Sequence, residues 1–195
     1  MIKGARTQIR TNIHRGIFTV SGVLTQDECR EYIAWSERLG YETARVSLAA
    51  GQVFRPDIRN NARVMVDSPE RAHDLWCWIS AEVPPVLEGR RAVGLNERLR
   101  FYRYGPGQHF APHTDGCHRR SSGDESLLTL MIYLNACARG GETRFEAASI
   151  SPAPGLALVF DHYLVHEGAP VVEGQKYVLR SDVMYGPPGS SDDGG

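Results

Sequence analysis

From Asn96 onward the chain breaks into short runs rich in β-branched, aromatic and aliphatic residues: LRFYRY (99–104), SLLTLMIYLN (126–135), LALVF (156–160) and KYVLRSDVMY (176–185). Gly and Pro punctuate them at 105–107, 140–141, 152–155, 168–170 and 174, where a strand must stop or turn. A strand shows alternate side chains to opposite faces, so runs like these must pack on one another to bury one face. Ahead of them the pattern predicts two helices. Thr25 and Glu28 form a capping box, Leu24 and Cys29 can close a staple, and Cys29, Tyr32, Ile33 and Leu39 share a face that ends at Gly40. Ser68 caps the second helix, Pro69 opens it, Ala72, Leu75, Trp76 and Ile79 form its stripe, and Pro84-Pro85 stop it. Helices first and strands afterwards predict an α+β, mainly β chain: a curved β-sandwich or barrel braced by helices on one side.

With 195 residues, 42% of them hydrophobic, the chain is long enough for one domain with a real core. The expected division is helical support over 1–95, a barrel core over 96–185 and a flexible tail over 186–195. A formal net charge of −1 gives no global field for nucleic acid or acidic lipid. The N-terminal residues lack an apolar signal segment, and no run approaches the roughly 20 apolar residues of a membrane helix. The expected location is cytoplasmic. Cys29, Cys77, Cys117 and Cys137 form no CxxC pair and read as reduced thiols, Cys117 as a small buried side chain.

The residues with metal chemistry are His113-Thr114-Asp115 and, about fifty positions on, His166. In extended backbone, residues i and i+2 point the same way, so His113 and Asp115 can reach one ion. A second His from a distant strand completes a facial triad that leaves about three octahedral positions open, as Fe(II) oxygen chemistry requires. The HxD tripeptide alone is weak. Lys176, Val178, Arg180 and Asp182 share one face of the last run, with Lys176 and Arg180 roughly 13 Å apart, too far to serve one carboxylate together. His109, His118 and His162 read as polar loop positions.

Taken together, RFYRYGPGQHFAPHTD (100–115), LTLMIYLN (128–135), GGETRF (140–145), PAPGLALVF (152–160) and HEGAPVVEGQKYVLRSDVMY (166–185) resemble the catalytic core of the prolyl 4-hydroxylase-like family of 2-oxoglutarate/Fe(II)-dependent oxygenases. The resemblance implies a double-stranded β-helix, or jelly roll, and a dioxygenase that hydroxylates a C–H bond and releases succinate and CO2. It implies Fe(II), 2-oxoglutarate as cosubstrate and O2, with ascorbate as a candidate accessory reductant. His113, Asp115 and His166 fall on the metal ligands, and Lys176 on the basic residue for the distal carboxylate. Tyr104, Tyr133 and Thr143 fall on positions that border the cosubstrate. Because the metal carboxylate is present, hydroxylation is expected rather than halogenation.

The substrate side departs from the pattern: several relatives have Trp six residues after the basic residue, where this chain has Asp182. Arg180 and Asp182 are candidate substrate contacts. So are Arg59 and Asn61 in the Arg/Asn-rich segment 53–64, read either as a loop over the site or as a solvated loop with internal ion pairs. The family name suggests a prolyl residue in a peptide or protein as substrate; a free amino acid or small metabolite is the alternative. No membrane or nucleic-acid partner is expected. A non-catalytic jelly-roll binding module is the rival of a different class, and it predicts damage to the triad or to Lys176.

Overall fold

In the computed structural model, which describes residues 7–48 and 51–188, the four strand runs lie side by side. The strand Lys176–Tyr185 pairs antiparallel with Glu125–Tyr133 on one edge and with Arg98–Tyr104 on the other. They are central to a ten-stranded sheet. A smaller sheet joins Phe110–His113, His166–Gly168, Thr143–Phe145 and Ser149–Ile150. The two sheets form the jelly roll.

Period-two alternation sorts the central strands into two cores. On one face Phe101, Leu130, Ile132 and Leu179 pack with Cys29 and Tyr32 of helix α1 (Gln26–Leu39) and with Ala72, Leu75 and Ile79 of helix α2 (Pro69–Ile79). Burying each large apolar side chain contributes about 1.5–3 kcal/mol, and this face carries many of them. The opposite face holds Tyr102, Tyr104, Met131, Tyr133 and Val178 with Phe160 and Val171. Register fixes which polar groups join them: Lys176 lies beside Tyr104, Arg180 beside Met131 and Arg100, and Asp182 beside Thr129. The site is built on this inner face.

Both helices begin where their caps dictate. Thr25 accepts from the Glu28 N–H while the Glu28 carboxylate accepts from the Thr25 N–H. Ser68 caps α2 with Pro69 behind it. Leu39, expected on the buried face of α1, is 41% exposed: it sits in the last turn, where the helix ends against Gly40, and Ser36 takes the buried position instead.

The N-terminal part is not purely helical as expected. Ile9–His14, Ile17–Ser21 and Ala62–Asp67 add to the large sheet, the last against Arg98–Tyr104. The segment 53–64 is therefore no free loop. Its first part carries an exposed Arg55–Asp57 ion pair, but Arg59 bridges to Phe110, and Asn60 accepts from the His109 N–H at 2.8 Å. From Ala62 it is sheet. The tail expected over 186–195 lies, from 189 on, outside the described residues. Among the described residues no helix is long and apolar enough to cross a membrane.

Candidate active site

His113 closes the strand Phe110–His113, His166 opens its antiparallel neighbour, and the two residues face each other in register. Their rings sit 4.3 Å apart. Asp115 follows on extended backbone and returns to the same spot: Oδ1 lies 3.8 Å from His113 Nε2 and Oδ2 3.7 Å from His166 Nε2. One ligand atom from each residue falls within 4.8 Å of the others.

Each imidazole is fixed by its second nitrogen. His113 Nδ1 donates to the Ala111 carbonyl at 2.9 Å and His166 Nδ1 to the Leu164 carbonyl at 3.0 Å, which leaves both Nε2 lone pairs aimed at the shared centre. Phe110 stacks on His113 with centroids 3.6 Å apart, and Phe160 meets His166 edge-on at 4.5 Å. Burial, together with the neighbouring His166, pushes His113 down to about 4; burial also lowers His166. Both rings are neutral near pH 7, the form that ligates metal. Burial alone would raise Asp115, but Arg180 and the two histidines outweigh it and hold the carboxyl at about 2.

Beside the triad lies a cavity lined by Tyr102, Tyr104, Phe110, Met131, Thr143 and Lys176, with Arg180 at its wall. Lys176 is 1% exposed. Its Nζ donates to the Gly141 carbonyl at 2.7 Å and lies 4.9 Å from the Tyr104 ring centre and 5.8 Å from that of Tyr133. Gly141 has φ +79°, and a Cβ there would press within 3.3 Å of the Lys176 stem, so glycine lets the carbonyl meet the amine. Among the described residues Lys176 has no carboxylate at ion-pair distance. Burial pushes its pKa down to about 8, partly opposed by Cys137 and Glu142. Tyr133 OH donates to Thr143 Oγ1 at 2.7 Å across the gap between the sheets.

A metal-ready triad beside a buried cation that lacks an anion is the donor set of one chemistry, and residues 99–181 match the family model of the 2OG-Fe(II) oxygenase superfamily. The matched stretch, under half of the chain, is similar to a 2OG-Fe(II) oxygenase domain. Its curated relatives include the probable prolyl 4-hydroxylase 7 of Arabidopsis thaliana, 22% identical over 193 residues, covering 83% of this chain and 60% of that protein. The chain therefore spans less than two thirds of that relative's length. Among solved structures, the viral collagen prolyl hydroxylase of Paramecium Bursaria Chlorella virus-1 in its 2OG complex superposes with TM-score 0.61 at 23% identity, over 87% of this chain and 96% of that one. A Trichoplax adhaerens prolyl hydroxylase, solved with a hypoxia inducible factor oxygen degradation domain peptide, gives 0.64 at 17%, over 86% and 83%. These likenesses establish the shared fold.

The cofactors of the oxygenase family fit these residues. The neutral Nε2 atoms and the ionised Asp115 suit Fe(II), and the isolated Lys176 amine suits the far carboxylate of 2-oxoglutarate.

Of the substrate-side candidates, Arg180 lines the cavity and its Nη2 reaches Asp115 Oδ1 and Asp182 Oδ1, each at 3.1 Å. Asp182 is 1% exposed and lies behind that wall, where it accepts from Asn96 Nδ2 at 3.0 Å and Arg100 Nη1 at 2.9 Å. Arg59 and Asn61 are buried and bonded to each other at 2.6 Å, with the Arg59 guanidinium against the Tyr102 and Phe110 rings.

Sequence reasoning missed the support beneath Asp115. Thr129 Oγ1 donates to Asp115 Oδ2 at 2.6 Å and also contacts His162 Nδ1 at 3.0 Å, while His162 Nε2 meets Ser126 Oγ at 2.9 Å. His162 does lie in a turn but is buried there, 7% exposed, and the Asp115 N–H donates to its carbonyl at 2.9 Å. Thr129 was within reach of the sequence, since it alternates in phase with Met131 and Tyr133. His162 lies in a turn with no periodicity to place it. Cys117, read as buried, is exposed, because the segment after Asp115 leaves the sheet.

Proposed function

We propose that this chain is an Fe(II)- and 2-oxoglutarate-dependent hydroxylase of a C–H bond in an amino-acid unit. The observation that carries the reading is the convergence of His113, Asp115 and His166 beside the unpaired, buried Lys176. When bound, ferrous iron with 2-oxoglutarate and O2 supplies the oxidising power that places one oxygen atom in the C–H bond, with succinate and CO2 as co-products.

The protein's own part is geometry and dryness. His113, Asp115 and His166 would hold the metal, and the carbonyls of Ala111 and Leu164 keep the imidazole rings from turning. Lys176 anchors the distal carboxylate of 2-oxoglutarate by a charge-assisted hydrogen bond in a place that excludes water. Burial raises Tyr104 to about 12, so its phenol remains a neutral hydrogen-bond donor at the cosubstrate's edge, with Tyr133 and Thr143 completing that wall. Phe110, Phe145 and Phe160 enclose the histidines and keep bulk water off the reacting centre.

The names of the relatives point to a prolyl residue in a peptide as substrate, and a free amino acid or small acid fits the same chemistry. Their location in the cell does not bear on the site. The test is 2-oxoglutarate-dependent succinate release with Fe(II). His113→Ala and Asp115→Ala should each abolish it while far-ultraviolet circular dichroism stays that of the wild type. Wild-type turnover in either folded variant overturns the assignment.

A further inference from the structure

Positive charge gathers at the end of the cavity away from Lys176: Arg180 lines it, and Arg59 packs against Tyr102 and Phe110, two residues that line it. Arg59 lies between two rings, its guanidinium carbon 4.5 Å from the centre of Tyr102 and 4.3 Å from that of Phe110. It is 4% exposed, its Nε is used by Asn61, and its Nη2 is buried without a hydrogen-bond partner. Arg180 lines the cavity, and its Nε is likewise buried and unpartnered. Arg63 and Arg100 stand close to the same pair. Arg180 pairs with Asp115, a candidate metal ligand, and shares Asp182 with Arg100.

Two buried guanidinium N–H groups with nothing to donate to are costly unless a ligand meets them. Tyr102, in the middle of the cluster, reports the resulting potential. Burial raises its pKa, yet Arg180, Arg59 and Arg100 together outweigh that and bring the phenol to about 8. The far carboxylate of the cosubstrate does not answer this charge: it belongs to Lys176, roughly 13 Å along the strand from Arg180, and its near carboxylate would be matched by the metal ion it chelates. The backbone around an internal prolyl residue would offer only neutral amides to these guanidiniums. A free carboxylate would match the guanidinium forks.

We propose that the substrate carries a free carboxylate, as a free amino acid or other small acid does, and that Arg59 and Arg180 hold it. The proposal rests on the oxygenase reading above. It selects among substrates by charge: the acid binds, while its amide leaves the arginines unanswered.

The experiment measures succinate release by wild-type protein with Fe(II) and 2-oxoglutarate. The additions are the twenty protein L-amino acids, a set of small mono- and dicarboxylic acids, the carboxamide of each, and proline-containing peptides with free or blocked C-termini. At least one free acid should stimulate release, with its carboxamide weaker by about 100-fold or more. Stimulation confined to free-terminus peptides would assign the carboxylate to a chain end. In Arg59→Gln the KM for the active acid should rise by about 30-fold or more, while 2-oxoglutarate binding to the Mn(II)-loaded protein, by calorimetry, stays within about twofold of wild type. Arg59→Lys, which keeps the charge but not the fork, should fall between. Blocked peptides as active as free ones, no stimulation by any free acid or free-terminus peptide, or an unchanged KM in folded Arg59→Gln each overturn the proposal. Absence of 2-oxoglutarate binding to the Mn(II)-loaded wild type would instead sink the oxygenase reading itself.

Discussion

Replacing Lys176 by Met should make the ligand-free protein more stable and the cosubstrate site useless. Lys176 is 1% exposed, and its pKa of about 8 against an ordinary 10.5 corresponds to about 3 kcal/mol by which burial disfavours the charged form. The opposing contribution is the hydrogen bond to the Gly141 carbonyl at 2.7 Å, worth about 1–1.5 kcal/mol. Met fills nearly the same volume without a charge, so the variant should gain about 1–2 kcal/mol at pH 7. The sign reverses with pH. Above pH 8 the folded state sheds the lysine proton while the unfolded chain keeps it to about 10.5, so wild-type stability rises through that window and the variant's advantage disappears. Urea unfolding at pH 7 and pH 10.5 measures both differences. Calorimetry on Mn(II)-loaded protein should show 2-oxoglutarate affinity falling by roughly 30- to 1,000-fold, the loss of about 2–4 kcal/mol from a desolvated charge pair. A variant less stable than wild type by more than about 1 kcal/mol at pH 7, with affinity intact, would refute the view of Lys176 as a cation waiting for a diacid.

Three further outcomes are expected. Asp182→Ala removes the acceptor shared by Asn96, Arg100 and Arg180 and should destabilise the fold by about 3–5 kcal/mol in thermal or urea unfolding, because buried guanidiniums lose their partner. Tyr133→Phe loses only the 2.7 Å bond to Thr143 and should cost about 1–2 kcal/mol in the melting transition, with a several-fold rise in KM for 2-oxoglutarate. Gly155→Ala should fail to accumulate as folded protein, judged by gel filtration: Gly155 has φ +74°, and a Cβ there would fall 2.0 Å from the Leu24 carbonyl oxygen at the entry to α1.

The sequence by itself determined the elements and the chemistry they carry. The capping box at Thr25, the Ser68 cap and the proline positions placed α1 and α2, and the alternation along 176–185 assigned Lys176, Val178, Arg180 and Asp182 to one face, since strand geometry makes face a function of parity alone. Parity put His113 and Asp115 on one side, and the family resemblance of the surrounding segments joined His166 and Lys176 to them. Tertiary structure alone decided what stands across from them. It zipped 59–67 onto the sheet and buried Arg59 between Tyr102 and Phe110, and it slid His162 beneath Thr129 and Asp115. No local pattern encodes such contacts, because a turn or a sheet edge acquires its neighbours only when distant strands fix their register. The cosubstrate end of the pocket was therefore written in periodic strands and was legible. The substrate end depends on nonlocal packing, and only folding assembled its arginines around one phenol.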